Sequence, residues 1–394
     1  MEANKVRSRP ISNGMKIALV GGGTGGHFYP LVAVAEALED LCNAEKLLMP
    51  ELVYIGPPPF DPAALLEHSI WHITTSAGKV RRYSSILNVF DTFKTAFSIV
   101  HAIPLLYKLY PDVIFSTGGF AAFPLLVAAK ILRIPVVIYD ADAKPGRVSL
   151  WSAKFARYIA VAHPSAVEHF PTSIRSNIAR VGHPVRKEIL TIVREGGYEF
   201  LHLDPAVPSV LILGGSQGAR TINEVVLDAL PELSSRYNIV HQTGKEHLKE
   251  VSDIASVALR DTKNALRYHP FGLLNTLALK MAAGAASVVV ARAGSGTIFE
   301  IAAWGTPAIL VPIPLDVSHD QTENAFSYAR AGAAEVIEQQ NLSPHILISE
   351  IDRLYGDEAL RKRMAEAGKQ FARPDAATKL ARTLLDISIA HEPR

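Results

Sequence analysis

The sequence has almost no cysteine and no long apolar run. Among 394 residues Cys42 is the single cysteine, which excludes an internal disulfide framework or a cysteine-built metal cluster and is typical of a reducing compartment. Because no stretch of about 18 uninterrupted apolar residues occurs, we predict no transmembrane helix. The net charge is only +2, without the concentrated basic composition of most nucleic-acid-binding proteins, so we predict no nucleic-acid partner.

The N-terminal segment also lacks an apolar stretch. Residues 1–14, MEANKVRSRPISNG, are polar and basic, which excludes a secretory signal peptide. We expect a disordered extension that ends where the first strand begins, at Met15. The rest of the chain, with 48% hydrophobic and 20% charged residues overall, has the composition of a folded protein and the length of two domains.

Short apolar runs alternate with helical stretches along the whole chain. Continuous apolar strands alternating with helices predict an α/β fold with parallel sheets covered on both faces. The predicted strands are 16–20, 52–55, 112–116, 135–139, 158–162, 178–181, 209–213, 238–241, 287–291, 308–311 and 334–337.

The chain contains a coarse duplication. KIALVGGGTGG near the start and SVLILGGSQGA at 209–219 both have the pattern strand, glycine loop, helix. We therefore predict two Rossmann-like, doubly wound domains that face a cleft, at residues 15–184 and 185–374. We expect the C-terminal helix, 375–394, to pack back on the first domain.

The first glycine loop matches the nicotinamide-cofactor fingerprint at Gly21, Gly23 and Gly26. That fingerprint also needs an acidic residue at the end of the second strand, where this chain has VYIGPPPF, so the oxidoreductase interpretation is weak. His27 directly follows the glycines and is predicted to point into the cleft, where an imidazole serves as a general base. A histidine that only packs against the sheet is the alternative.

Further candidates lie in the linker and the second domain. Arg186 is placed to neutralise a diphosphate between the domains. Glu300 follows the loop of Gly294, Ser295 and Gly296; it either accepts hydrogen bonds from two ribose hydroxyls or complements the helix dipole. The polar stretch DVSHDQTENA supplies donors and acceptors for sugar hydroxyls or is a solvated loop; it contains Asp320, Gln321 and Asn324.

Seven motifs occur in a specific order from about residue 16 to the C-terminus: GGGTGGHFYP, STGGFAAFP, GHPVR, LGGSQGAR, HQTGKEH, ARAGSGTIFEIAAWGTPAILVPIP and DQTENA…AGAAEVIE. Together they resemble the MurG family of peptidoglycan N-acetylglucosaminyltransferases, which have the GT-B fold and belong to glycosyltransferase family 28. The resemblance implies inverting transfer of N-acetylglucosamine from UDP-GlcNAc to the C4 hydroxyl of the muramoyl sugar of lipid I, giving lipid II. It also implies a peripheral protein on the cytoplasmic face of the membrane.

The resemblance further implies a role for each matching residue. Thr24, Gly25 and Gly26 would lie at the acceptor diphosphate or near the donor sugar, and His27 would be the base. The remaining assignments are Arg186 and Ser216 at the UDP phosphates, Gln217 beside them as a substrate-binding residue, Ser295, Gly296, Thr297 and Glu300 at uridine with Glu300 on its ribose, and Asp320, Gln321 and Asn324 at the sugar.

The sequence departs from the family pattern at two places. Where the family has HEQN, with an asparagine that contacts the donor acetamide, this chain has YDAD, so Asp142 replaces the asparagine and Asp140 the glutamate. Asp320 stands where the family tends to have histidine or glutamine. Another UDP-sugar or lipid acceptor therefore stays open, as does a UDP-GlcNAc epimerase. DAD also matches the DxD pattern of metal-dependent GT-A enzymes, but two glycine-loop domains favour GT-B, with no metal or cofactor.

The stretch 78–97, GKVRRYSSILNVFDTFKTAF, has apolar residues at helical spacing behind three basic ones. The apolar residues are Ile86, Phe90, Phe93 and Phe97, and the basic ones are Lys79, Arg81 and Arg82. This pattern predicts either a helix that faces the core or an apolar surface with a basic rim that binds anionic lipid.

Overall fold

The computed structural model describes residues 14–75, 87–215, 218–314 and 321–391, with side chains from residue 94 onward in the second range. The predicted extension 1–14 therefore lies outside the described residues except for Gly14, as do Lys79, Arg81, Arg82 and Ile86 of the stretch 78–97. Phe90 and Phe93 lie in a described helix, where side chains are described only from residue 94 onward. The strands are β1 Lys16–Val20, β2 Glu51–Gly56, β3 Trp71–Thr74, β4 Val113–Ser116, β5 Val136–Asp140, β6 Tyr158–Val161, β7 Ile178–Arg180, β8 Ser209–Leu213, β9 Asn238–Gln242, β10 Tyr268–Phe271, β11 Ala286–Ala291, β12 Ala308–Leu310 and β13 Ala334–Val336.

The strands form two sheets, and every described pairing is parallel. The first sheet has the order β3-β2-β1-β4-β5-β6-β7 and the second β10-β9-β8-β11-β12-β13. In each sheet the strands are added outward on one side of the first strand and then on its other side. This winding reversal lies between β1 and β4 in the first sheet and between β8 and β11 in the second. The predicted fold class, two doubly wound Rossmann-like sheets, is confirmed.

Two strands were missed by the sequence analysis. β3 and β10 each pair on one side only, at the outer edge of their sheets. The side chains of β3 are largely exposed, and β10 contains His269 and Pro270. Edge strands bury less surface and tolerate proline, so neither segment has the apolar run by which the central strands were recognised.

Helices cover both faces of each sheet, as parallel strands require. They are α1 Gly25–Glu45, α2 Pro62–Glu67, α3 Leu87–Leu109, α4 Phe123–Leu132, α5 Arg147–Ser152, α6 Lys187–Leu190, α7 Gly197–Phe200, α8 Arg220–Arg236, α9 Leu248–Ala258, α10 Thr276–Ala285, α11 Ser295–Trp304, α12 Thr322–Arg330, α13 Pro344–Gly356, α14 Glu358–Ala372 and α15 Ala376–His391. None of the helices within the described residues is long and apolar enough to cross a membrane.

The chain passes between the two sheets twice, and the two passages touch. The first follows β7, and the second joins α14 to α15, which packs against α1 beside the first sheet. The Arg373 side chain donates from Nη1 to the carbonyl of Arg180 at 3.1 Å. Gly182 has a φ of +87°, and a methyl group there would lie 2.7 Å from Cβ of Arg373, so only glycine fits. The predicted boundary at residue 184 stays a prediction.

One hydrophobic cluster runs through both sheets and joins them. It includes Leu19 and Tyr139 from the first sheet, Leu211 and Val289 from the second, and Phe299 of α11. Across this region the Trp304 indole donates to the carbonyl of Ile189 at 2.8 Å. Because the apolar core is continuous, the loops at the carboxyl ends of the strands of both sheets are held close to each other.

Candidate active site

The two winding reversals define where a ligand can bind. In open parallel sheets the loops on either side of such a point diverge and leave a crevice at the carboxyl ends of the strands. In the first sheet these loops are 21–24 after β1 and 117–119 after β4; in the second they are 214–219 after β8 and 292–294 after β11. The glycine loops that begin at Gly21, Gly118, Gly214 and Gly294 lie at these positions.

The first glycine loop is shaped by its packing against the neighbouring strands. Gly21 and Gly22 have φ values of +150° and +102°. A methyl group on Gly21 would lie 2.0 Å from the Thr117 hydroxyl oxygen, and one on Gly22 would lie 2.1 Å from the Tyr54 hydroxyl oxygen. Tyr54 in turn donates to the carbonyl of Gly21 at 3.0 Å. The glycines are needed here for folding the turn as well as for ligand approach.

The N-terminus of α1 is open to solvent. Thr24 caps the helix only through its carbonyl, which accepts from the backbone of His27 and Phe28 at 3.1 Å each. Thr24 and Gly26 are exposed, and a methyl group on Gly26 would meet no atom within 4 Å. With no acidic residue in the first turn, the free N–H groups form a site for an anion.

His27 is held in one orientation by the loop after β4. Its Nδ1 lies 2.9 Å from the carbonyl oxygen of Thr117, and the Thr117 hydroxyl donates to the carbonyl of His27 at 2.9 Å. Because a carbonyl only accepts, Nδ1 carries the proton in the neutral ring, and Nε2 keeps its lone pair. Nε2 faces Gly119, whose added methyl group would still be 3.7 Å away. This is the tautomer that a general base at Nε2 requires.

Arg186 lies between the two domains and stacks on an aromatic ring. Its guanidinium carbon is 4.1 Å from the centroid of Tyr29, in the first turns of α1. Its charge also acts on Glu300 in α11. Within the described residues no carboxylate or carbonyl is hydrogen-bonded to Arg186, so its N–H donors remain available to an anion.

Glu300 is a partly buried carboxylate on the inner side of α11. Burial raises its pKa to about 7, while the nearby positive charge of Arg186 acts in the opposite direction. Near neutral pH this group is therefore divided between its ionised and protonated forms. In its ionised form it accepts two hydrogen bonds without donating, as a ribose diol would require.

Ser295, at the start of α11, is engaged in a buried chain of hydrogen bonds between the domains. Its hydroxyl donates to the carbonyl of Ala141, so it must accept from His163 Nε2, at 2.7 Å. The other ring nitrogen of His163 then accepts from the Ser327 hydroxyl at 3.1 Å, which in turn accepts from Ser165 at 3.3 Å. Burial lowers the pKa of His163 to about 3, which keeps the ring neutral as this chain requires.

Asn324 is likewise used in a contact between the domains. Its amide nitrogen donates to Asp142 at 2.9 Å and to the carbonyl of Ala293 at 3.3 Å. Its amide oxygen accepts from the backbone of Ala143 at 2.7 Å. Asn324 is only 3% exposed. In the structure the side chains of Asn324 and Asp142 therefore contact each other, and their predicted contacts with the sugar stay predictions.

The other predicted residues around α11 remain accessible. Gly296 and Thr297 are half-buried in the first turn of α11, and a methyl group on Gly296 would lie 3.7 Å from His183 Nε2. Gln321 uses its amide oxygen to accept from Ile313 at 3.4 Å, and its Nε2 faces Gly294. Three predicted substrate contacts, Ser216, Gln217 and Asp320, lie outside the described residues.

The Asp140 carboxylate accepts hydrogen bonds from nearby backbone groups and is not left free for a ligand. Its two carboxylate oxygens accept from the backbone of Asp142 at 3.2 Å and Gly146 at 3.1 Å, which closes the turn before α5. Burial and the charge of Asp142 raise its pKa to about 6. No group of three potential metal ligands occurs within residues 14–75, 87–215, 218–314 and 321–391.

Several residues of the site were missed by the sequence analysis. His163 and Ser327 follow ordinary strand and helix patterns, and nothing in the sequence indicates that they meet Ser295. Tyr29 belongs to the quoted motif GGGTGGHFYP and lies two residues after His27, and an aromatic residue so close to a catalytic candidate is itself a signal. Thr117 lies in STGGFAAFP, the second motif.

Two parallel sheets, each with a glycine loop at its winding reversal, are typical of the GT-B class of nucleotide-sugar enzymes. The charge of Arg186, between the sheets, acts on the partly buried Glu300. The glycosyltransferase family 28 N-terminal domain matches residues 17–161 and the family 28 C-terminal domain matches residues 209–380. The chain belongs to glycosyltransferase family 28.

The relatives and solved structures agree with this assignment. The chain is 34% identical over 382 residues to a Treponema denticola protein named UDP-N-acetylglucosamine–N-acetylmuramyl-(pentapeptide) pyrophosphoryl-undecaprenol N-acetylglucosamine transferase, covering 93% of this chain and 96% of that protein. A protein of the same name from Halothermothrix orenii is 34% identical, covering 94% and 99%. The crystal structure of Acinetobacter baumannii MurG superposes with a TM-score of 0.70 at 25% identity, covering 94% of this chain and 99% of that one.

A fourth match concerns the fold alone. A UDP-GlcNAc 2-epimerase from Neisseria meningitidis, bound to UDP-GlcNAc, superposes with a TM-score of 0.64 at 14% identity, covering 94% of this chain and all of that one (100%). The GT-B architecture therefore does not by itself separate transfer from epimerisation.

Proposed function

We propose that this protein transfers N-acetylglucosamine from UDP-GlcNAc to the C4 hydroxyl of the muramoyl sugar of undecaprenyl-linked lipid I, producing lipid II for peptidoglycan synthesis. The observation that carries the proposal is the hydrogen bond from His27 Nδ1 to Thr117. This bond leaves Nε2 as a base at one winding reversal, opposite the glycine loops of the other sheet. The names of the family 28 relatives supply the donor and the acceptor.

The mechanism is a direct displacement at the anomeric carbon. His27 Nε2 removes the proton of the acceptor hydroxyl as its oxygen attacks, and UDP leaves from the opposite side. Because the bond to the donor is α, one displacement gives a β product. General-base catalysis of this kind contributes about 10²- to 10⁴-fold to the rate.

The remaining groups stabilise the nucleotide and the leaving diphosphate. The Arg186 guanidinium and the free N–H groups at helix N-termini supply positive charge without a metal ion. Glu300 accepts from the uridine ribose, and Ser295, Gly296 and Thr297 lie beside the base. Ser216 and Gln217 bind the phosphates, and Asp320, Gln321 and Asn324 with Asp142 border the sugar. Undiminished turnover in EDTA is the result expected of this metal-free arrangement.

The decisive test is a reconstituted reaction. Purified protein with UDP-GlcNAc and lipid I in detergent should release UDP and form lipid II in equal amounts. Consumption of UDP-GlcNAc without acceptor would instead identify an epimerase. Faster transfer from UDP-glucose or UDP-galactose would show that the Asp142 and Asp320 departures have changed the donor.

A lipid-linked acceptor requires access to a membrane, and α3 with α4 provides a suitable surface. The lipid-facing patch consists of the exposed apolar residues Phe97, Val100, Tyr107 and Ile131 with the exposed basic residues Lys94, Lys108, Lys130 and Arg133. The three residues of α3 lie on one helix face, and Ala102 and Leu106 on the other face are buried against α4. Apolar surface with a basic rim is typical of helices that bind anionic lipid.

This surface supports the proposal of a peripheral protein on the cytoplasmic face of the membrane, where both substrates meet. The test is sedimentation with vesicles containing anionic lipid. Phe97→Asp should reduce binding strongly, because it puts a charge into the apolar patch. Val257→Asp is the matched control, since Val257 is equally exposed (61% against 65%) but lies on α9 beside the second sheet. If Phe97→Asp and Val257→Asp bind to the vesicles equally well, the proposal that this patch binds the membrane is wrong.

A further inference from the structure

One face of α1 holds the segment that connects the two domains. Tyr29, Glu36 and Asp40 are seven and four residues apart, so they lie along one side of the helix. Glu36 accepts from the backbone nitrogen of Lys187 at 3.1 Å, and Asp40 pairs with the Lys187 ammonium at 2.5 Å. Tyr29 contacts the preceding residue, Arg186. The connecting segment is thus fixed to the helix that carries His27.

The Tyr29 ring is itself held rigidly. Its edge packs against Phe28 and Phe60, with ring centroids 5.7 Å and 5.6 Å away. Burial raises the pKa of Tyr29, and the nearby negative charge of Asp61 acts in the same direction. Asp61 is fixed in turn, because it caps α2 by accepting from Ala63 at 3.1 Å and Ala64 at 3.3 Å. Such a ring is a preorganised platform rather than a mobile surface group.

A guanidinium stacked on an aromatic face is oriented without losing its hydrogen-bond donors. The guanidinium carbon of Arg186 lies 4.1 Å from the ring centroid, and a contact with the ring face uses none of the N–H donors. The carboxylate of Asp61 behind the ring adds a favourable negative charge without blocking these donors. Within the described residues no acceptor is bonded to Arg186, and Glu300 across the cleft acts on it only through its charge.

From this geometry we infer that Tyr29 is a positioning residue for Arg186: it aims the guanidinium at the donor diphosphate and so couples the His27 helix to nucleotide binding. The inference rests on the proposed function in one respect, that the anion bound by Arg186 is the diphosphate of UDP. It assigns to Tyr29 no contact with substrate.

The experiment measures UDP binding by calorimetry at pH 8 and transfer kinetics for the same variants. Tyr29→Leu should weaken UDP binding and lower kcat/KM for UDP-GlcNAc by about 5- to 30-fold, the effect of removing a partly desolvated cation–π contact. Tyr29→Phe keeps the ring and should lose no more than about 3-fold, because only the hydroxyl near Asp61 is removed. Tyr158→Leu is the control. Tyr158 is an exposed tyrosine at the start of β6, at the opposite edge of the sheet from the carboxyl ends of the strands.

A double-mutant cycle separates positioning from general packing. In an Arg186→Ala background, Tyr29→Leu should have no further effect on UDP binding, because its action passes through Arg186. An equal loss in both backgrounds, or a Tyr29→Leu variant that binds UDP as tightly as the wild type, would overturn the inference. A wild type that binds no UDP would overturn both this inference and the proposed donor. UDP binding without transfer to lipid I would contradict the proposed acceptor alone and would leave the Tyr29 cycle a valid test.

Discussion

The helix starts of α1 and α11 have the same local architecture but different surroundings. Both follow a buried strand and a glycine-containing loop at a winding reversal. The start of α1 is open, with Thr24 and Gly26 exposed. At the start of α11, Ser295 is 6% exposed and bonded to groups of the first domain. A glycine loop before a helix therefore makes backbone N–H groups available, but its neighbours decide whether they meet a ligand or another domain.

The two helix starts are therefore suited to different roles in the cleft. The α1 side offers a free base and free N–H groups, which suits an acceptor that arrives from outside. The α11 side combines the proposed nucleotide contacts with contacts between the domains, so we expect donor binding to depend on how the domains meet. Variants on the two sides should therefore fail in different ways.

The largest effect is expected at the α1 side. His27→Ala removes the base and should lower kcat by about 10²- to 10⁴-fold. UDP binding, measured by calorimetry, should be unchanged because the proposed nucleotide site is formed by the second domain. Near-normal turnover of this variant would contradict the assignment of the base. Loss of UDP binding as well would show that the two sides are not separate.

The next effect is expected where the domains meet. Asn324→Asp places a carboxylate against Asp142 and removes the donor to Ala293, and it should lower the free energy of unfolding in urea by about 1–3 kcal/mol. Adding Asp142→Asn exchanges the two roles and should recover part of the loss. If the second substitution gives no recovery, the hydrogen bond between these two side chains does not contribute to the stability of the fold.

The pH dependence of donor binding tests the α11 side. Burial raises the pKa of Glu300 to about 7, and the ionised form is the better acceptor for ribose hydroxyls. The KM for UDP-GlcNAc should therefore rise as the pH falls through 7, by up to about 10-fold, since bonds to charged groups are stronger. Glu300→Gln should have a high KM that does not vary over this range. The same pH profile in both proteins would exclude Glu300 as its source.

The smallest effect compares one glycine on each side. Gly26→Ala meets no atom within 4 Å, and in Gly296→Ala the nearest atom is at 3.7 Å. Each lies in a helix, so each should leave stability unchanged or raise it by about 0.4–1 kcal/mol. The first should slow transfer without affecting UDP binding, and the second should weaken UDP binding. Identical kinetic behaviour of the two variants would remove the distinction between the sides.

The sequence predicted the central strands well because burial on both faces leaves a continuous apolar run, as in SVLIL of β8. It did not predict β3 or β10, whose position at a sheet edge removes that signal. The site was predicted in the same uneven way. The glycine loops and His27 follow from local pattern, since a turn and a helix start need particular residues at fixed spacing.

The contacts of these residues did not follow from the sequence. His163 and Ser295 are 132 positions apart, and Asp142 and Asn324 are 182 apart. Only the packing of one sheet against the other brings such pairs together. The stacking of Arg186 on Tyr29 is of the same kind. A residue type and its place in a motif indicate what a side chain can do, but the partner that limits it is set by tertiary structure.

The double passage of the chain beside Gly182 and Arg373 has a consequence for motion. Two domains joined by one connecting segment can rotate and twist about it. Two adjacent connecting segments joined by a hydrogen bond restrict the motion to a hinge at that point. Any separation of the two sheets must then be greatest at the far rim of the cleft and least at the hinge beside Gly182 and Arg373. A small rotation at this hinge would open the cleft at its far rim and admit substrates, while the core beside the hinge stayed packed.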